Sequence, residues 1–331
     1  MKKKLFLALV IIQVLITIYL LYPISSTNIY SIERGSATEV NDTFQNLNHF
    51  YTPETEYAEF YRTNDDYSVD YKIIMNEAGL RNKQNYSQEK PEDVFRIGFF
   101  GDSFTHGIGV NQTQRWTNQL EDRLNNNLEC EKSYQGINFG VPGYDTPYTV
   151  EMFLQEGKNY QNDLNIFYFT ERDIVFMNEL YYSLESQILE EKMEEHGKDS
   201  IDSLPASVYE EALDEVWTKY EQTIDRKGID KIQERQVSEP FEKIADHIDD
   251  PDSVLIFTSH INQNYNQIYL EEAEKHGFRF ATLEDLGPSL EDNWDHFSYL
   301  EGVSDSHATE EGHRVLSDYL FLHLTSNLVF C

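Results

Sequence analysis

The chain of 331 residues carries 59 acidic against 26 basic side chains, a formal net charge of −33. Its hydrophobic content of 40%, with 20 Phe and 22 Tyr, is enough to bury a sizeable core and excludes global disorder. The charge excludes a nucleic-acid partner, which would need Lys and Arg to neutralise phosphates.

The acidity is spread along the chain after residue 30. Such a surface suits work in high salt, where screening removes self-repulsion; an ordinary acidic secreted protein is the rival reading.

Lys2-Lys3-Lys4 precede a largely apolar stretch, Leu5 to Tyr22, interrupted by Gln13 and Thr17. As a helix this stretch is about 27 Å long, close to the hydrocarbon thickness of a bilayer. Residues 1–23 are therefore expected to form a signal-anchor helix with the lysines on the cytoplasmic side. A cleaved signal peptide is the competing reading, for which Pro23–Thr27 offers only a poor cleavage site. Both readings place the remaining chain outside the cytoplasm, membrane-bound in the first and secreted in the second.

Residues 24–90 are polar, tyrosine-rich and weakly periodic, and read as a stalk and N-terminal extension with one candidate strand, Tyr67–Met75. From residue 91 to 331 strands and helices alternate. The candidate strands are Val94–Phe100, Tyr134–Phe139, Leu164–Phe169, Val254–Thr258 and Arg279–Leu283. The helical patterns fall at Gln114–Asn126, Tyr148–Asn159, Pro240–His247, Gln267–His276 and Gly312–Asn327. Continuously apolar strands separated by helices predict a parallel sheet covered on both faces. With right-handed crossovers this becomes a three-layer α/β/α sandwich with a flavodoxin-like, doubly wound sheet of about five strands. An acidic, helix-patterned insertion spans about residues 176–237 and is either a cap beside the site or plain decoration.

Four loops carry candidate chemistry, and the predicted topology brings all four to one sheet edge. The first strand ends in Gly101-Asp102-Ser103, where Ser103 is a candidate nucleophile; alone it would read as a turn serine or a helix N-cap. The second strand is followed by Asn138-Phe-Gly-Val-Pro-Gly143, where Gly143 can bring a bare backbone N–H close to a ligand. The third is followed by Thr170-Glu171-Arg172-Asp173. Asp305-Ser-His307 precedes the last helix. In this arrangement His307 would accept the Ser103 proton and Asp305 would hold the imidazole tautomer. The N–H groups of Ser103 and Gly143 would form an oxyanion hole. His106 is expected to line the cleft, and His313 to be structural or on the surface.

Gly101-Asp102-Ser103, Gly143 and Asp305-x-His307, in that order and with the upstream Asn76-Glu-Ala-Gly-Leu-Arg81, resemble the blocks of the SGNH/GDSL hydrolase family. The resemblance implies a serine esterase or acyl hydrolase acting through an acyl-enzyme on ester-linked acyl groups of sugars, lipids or related molecules. It implies Ser103, Asp305 and His307 as the triad and Ser103 and Gly143 as oxyanion donors. The family pattern G-x-N-D supplies a third donor from asparagine, but here Arg172 stands in that position. Losing one such donor typically costs about 3–4 kcal/mol. A guanidinium can donate in its place, or, being larger, block the pocket or pair with Glu171 or Asp173. A non-catalytic glycan-binding protein and an O-acyltransferase are the alternatives to a hydrolase. The G-x-S-x-G elbow of the α/β-hydrolases is absent.

Cys130 and Cys331 are the only cysteines. The topology puts the first and last helices on one face, ending at the same edge, so a disulfide between these residues is expected; two free thiols are the alternative. Asn41, Asn85 and Asn111 stand in glycosylation-type tripeptides, which a chain of this composition contains by chance. Metal-ligand and nucleotide-binding patterns are absent, so neither a metal nor another cofactor is expected. An acylated carbohydrate or other ester is the expected substrate, and the membrane the expected attachment.

Overall fold

The computed structural model describes residues 56–62, 68–128, 130–170, 173–174, 177–227, 232–259, 263–283 and 307–327. They belong to one compact unit, Glu39–Cys331. The anchor expected at 1–23 lies outside the described residues. No helix among the described ones is long and apolar enough to cross a membrane.

Five strands form a parallel sheet: β3 (Val94–Phe100), β4 (Ser133–Asn138), β5 (Leu164–Phe169), β6 (Val254–Thr258) and β7 (Arg279–Thr282). Their order is β4-β3-β5-β6-β7, the doubly wound arrangement expected from the sequence. Neighbouring strands pair in parallel register, for example Ile97 with Gly136 and Phe99 with Ile166. β5 and β6 are buried at every position, as strands covered on both faces must be.

The pleat divides the apolar residues between two layers. Phe100, Phe167, Phe169 and Ile256 face one side. They pack with α3 (Thr146–Gln155), α6 (Glu239–Ala245) and α7 (Gln263–His276), which contribute Phe153, Phe241 and Tyr269. Phe99, Ile166, Tyr168 and Phe257 face the other side, against Trp116 and Leu120 of α2 (Trp116–Asn127) and Leu316 and Leu320 of α8 (Glu310–Asn327). The first and last full helices thus share a face, and Arg123 of α2 pairs with Asp318 of α8. Cys130, just beyond α2, is disulfide-bonded, and the one other cysteine, Cys331, lies outside the described residues.

Two parts of the chain are more ordered than their sequence suggests. β2 (Ser68–Ile74) pairs antiparallel with β1 (Glu56–Arg62), giving a hairpin where one strand was expected. Residues 76–90, assigned on sequence to the N-terminal extension, pack into the α/β body, with Leu80, Arg81 and Asn82 buried. The insertion folds as two paired helices, α4 (Asn178–Glu195) and α5 (Ala206–Lys227), with a small core of Ile188, Leu189, Ala212 and Val216. A π-helical turn, Glu234–Ser238, leads from it into α6.

Candidate active site

The strand order reverses between β3 and β5, and open α/β sheets bind ligands at the carboxyl edge of that point. β3 ends there in a glycine with no room for a side chain. A Cβ on Gly101 would lie 2.7 Å from the backbone oxygen of Tyr168. The chain then turns at once into a short helical segment, α1 (Ser103–His106), whose N-cap Asp102 accepts the N–H of Phe104 at 2.9 Å. Ser103 is therefore the first residue of the helix, and Asp102, not Ser103, is its N-cap. Ser103 also does more: its Oγ lies 2.7 Å from Nε2 of His307, three residues before α8. The serine is largely buried, the imidazole half-buried, and Phe104 lies beside it with ring centroids 5.4 Å apart. With the ring proton on Nδ1, Nε2 accepts the serine hydroxyl, the arrangement that activates an alcohol.

Gly143 is set by turn chemistry. In Val141-Pro142-Gly143-Tyr144 the Tyr144 N–H bonds the Val141 carbonyl at 3.2 Å, and glycine at the third position takes φ +82°. Proline second and a positive-φ glycine third are the signature of a type II turn. Asp145 then caps α3 by accepting the Tyr148 N–H at 3.2 Å. The turn is held beside the nucleophile loop by the Val141 N–H, which bonds the Gly101 carbonyl at 3.0 Å.

A second set of residues locks these loops together. The buried Arg81 guanidinium donates to the carbonyls of His106, Gly107 and Val110 at 3.1, 2.5 and 2.6 Å. The N–H groups of Gly107 and Ile108 in turn hold the Ser103 carbonyl at 2.8 and 3.1 Å. Asn82 exchanges two hydrogen bonds with the backbone of Asn138, at 2.8 and 3.1 Å. The Asn138 amide reaches the Thr105 carbonyl at 2.6 Å, and its oxygen accepts the Gly140 N–H at 2.9 Å. Residues 81 and 82 thus pin both the serine turn and the strand that leads to Gly143. The Asn76–Arg81 segment was visible in the sequence, but this role was not, because it consists of bonds to distant carbonyls.

His106 does not line the cleft. It is fully buried, with Nδ1 3.2 Å from the Gly140 carbonyl, and burial, then Arg81 and Arg115, hold it well below the usual histidine range. His313 is structural: its Nδ1 accepts the Trp116 N–H at the start of α2, at 3.3 Å. Burial, followed by Arg81, Arg115 and His307, lowers its pKa to about 3.

Asp173, beyond β5, is buried and accepts the Thr170 hydroxyl at 3.0 Å. Burial and then the Asp102 carboxylate raise its pKa well above the ordinary value, outweighing the Thr170 bonds. Asp305, Glu171 and Arg172, the residues expected as partner of the histidine and around a third oxyanion position, lie outside the described residues. No group of His, Cys, Asp and Glu suited to a metal ion occurs among the described residues.

The insertion reaches the site. Among the described residues other than its chain neighbours, the one atom within 4 Å of a Cβ placed on Gly143 would be the hydroxyl oxygen of Tyr182, on α4, at 3.8 Å. The insertion is therefore a neighbour of the Gly143 turn. Sequence gave no signal for that contact, because helical periodicity does not say where a helical pair leans.

Solved structures similar to the chain share little sequence with it. A lipase/acylhydrolase from Enterococcus faecalis is 14% identical, with 71% of this chain and 97% of that one covered at a TM-score of 0.39. The psychrotrophic esterase EstA from Pseudoalteromonas sp. is 10% identical, with 70% and 97% covered at 0.41. A two-domain esterase active on acetylated mannans is 12% identical; 70% of this chain and 49% of that one are covered, at 0.40. Among curated proteins none matches the chain. The family profile described as GDSL-like lipase/acylhydrolase matches residues 99–315, from the end of β3 into α8, and so spans the serine, the Gly143 turn and the histidine. On that match the chain belongs to the GDSL-like lipase/acylhydrolase family.

Proposed function

We propose that the protein is a serine ester hydrolase in which Ser103 is the nucleophile and His307 its base. The 2.7 Å contact between Ser103 Oγ and His307 Nε2, joining residues 204 apart in sequence, carries this reading. Attack by Oγ forms the bond to the acyl carbon while its proton passes to Nε2. The carbonyl electrons move to the oxygen, facing the N–H groups of Ser103 and Gly143. Collapse expels the alcohol, which takes the proton from His307, and water repeats the sequence to release the acid. Asp305, two residues before His307, is the proposed partner of the imidazole, and Arg172 a proposed neighbour of the oxyanion.

The substrate we propose is a neutral O-acylated glycan met outside the cytoplasm, with residues 1–23 as a membrane anchor and the acidic surface adapted to high salt. A chain of net charge −33 disfavours anionic substrates. Tyr182 and Trp217 stand partly exposed on the insertion, and Tyr181 makes ring contacts with both. Flat aromatic rings with a polar edge suit sugar faces. An acyltransferase would use the same acyl-enzyme with an acceptor hydroxyl in place of water.

Turnover of p-nitrophenyl acetate in high and low salt tests the reading. Ser103→Ala and His307→Ala are expected to lower kcat on the order of 10⁴-fold or more. Equal rates in both variants and the parent protein would reject it.

A further inference from the structure

The exit from the insertion buries a polar side chain among three acidic loops. Asp102, Asp145 and Asp173 belong to the segments that follow β3, β4 and β5, and all three are buried. The carboxylates of Asp102 and Asp145 act on that of Asp173, and all three act on the Tyr269 phenol, so the three loops converge. Gln236 enters beside them from the middle of the π-helical turn Glu234–Ser238 and is 1% exposed. A glutamine is seldom sealed so completely unless its amide has partners. Single π-helical turns recur at functional sites.

The Gln236 amide spans two of the loops. Its Nε2 donates to Oδ2 of Asp145 at 3.3 Å and to the Asp173 carbonyl at 3.4 Å. Asp145, two residues beyond Gly143, uses its other oxygen to cap α3. The Thr146 hydroxyl donates to the same Asp173 carbonyl at 3.3 Å. With that proton committed, it accepts the Tyr269 hydroxyl of α7 at 2.8 Å. The Asp173 carboxylate closes its own loop through the Thr170 N–H and hydroxyl. One carbonyl is thus the node at which the insertion, the start of α3 and the loop after β5 meet.

We propose that Gln236 is a positioning residue, with Thr146 as its partner: together they hold the loops after β4 and β5 in the relative placement that acyl transfer at Ser103 requires. The inference rests on the ester-hydrolase reading and makes the insertion a support of the site. An amide suits the place, because it donates to a carboxylate and a carbonyl at once without adding a buried charge. A misplacement of about 1 Å, far from the chemistry, can cost on the order of 10²-fold in rate.

The test is Gln236→Met in the full-length protein, which keeps the length of the side chain and removes the amide. With p-nitrophenyl acetate, kcat per Ser103 titrated by a fluorophosphonate is expected to fall on the order of 10- to 10²-fold, with KM changed less than about twofold. Affinity for methylboronic acid, whose adduct with a serine is tetrahedral, should fall by about the same factor as kcat/KM. A loss of stability alone would move neither. Thr146→Val, of the same shape without the hydroxyl, should show the same pattern. The double variant should lose less than the product of the two factors, since both residues act through one carbonyl. Parent kcat in Gln236→Met, a rise in KM alone, or a fall in kcat with parent boronate affinity would overturn the proposal while leaving Ser103 and His307 in their roles. If Gln236→Met does not fold, parent values in Thr146→Val overturn it. A parent protein as inactive as Ser103→Ala would overturn both.

Discussion

His106, His307 and His313 share one α/β body, yet their surroundings assign them different work. His307 is half-buried and meets the Ser103 hydroxyl, whereas the other two are sealed, so of the three only His307 is placed for the proposed proton transfer. His313 takes up a proton in the folded protein only near pH 3, against 6.5 for an unperturbed imidazole. The unfolded chain therefore binds the proton first. The stability His313 contributes is complete above pH 6.5 and is lost as pH falls toward 3. In His313→Gln, where an amide oxygen can accept the Trp116 N–H, the decline of melting temperature across that window should be shallower. It should not vanish, because His106 shifts in the same direction. An unchanged slope would contradict the assignment.

At the scale of elements, β3, β5 and β6 lie at the bounds that their apolar runs predict. A strand buried on both faces leaves that mark in any sequence. β1 leaves none: Glu-Tyr-Ala-Glu-Phe-Tyr-Arg has no continuous apolar run, and its partner in the hairpin decides its structure. The loops show the same division. Gly101 and Gly143 were legible because turns require glycine there, whereas Arg81 and Asn82 act on carbonyls of other segments. Arg81→Lys keeps the charge but loses the planar fork that spans three carbonyls. It should cost about 1–3 kcal/mol in urea unfolding, the penalty of unsatisfied buried groups. By loosening the Ser103 turn it should also lower kcat more than it raises KM. Parent stability and kcat in this variant would show that the clamp is dispensable.

Across the whole molecule, the order of the five strands follows from alternation and crossover handedness, and it alone brings the loops after β3 and β4 together with the segment before α8. Where the insertion leans was not legible, because nothing in an acidic amphipathic helix identifies its neighbour. The Tyr182 hydroxyl nevertheless places the insertion beside the Gly143 turn. The net charge of −33 is expected to disfavour anionic esters as substrates of the proposed activity. The central claim, that Ser103 is an activated nucleophile, is tested most directly by treating the full-length protein with a fluorophosphonate and mapping the adduct by peptide mass spectrometry. A single adduct on Ser103, formed far more slowly in His307→Ala, is the predicted result. Labelling elsewhere with Ser103 unmodified, or equal labelling in both proteins, would contradict it.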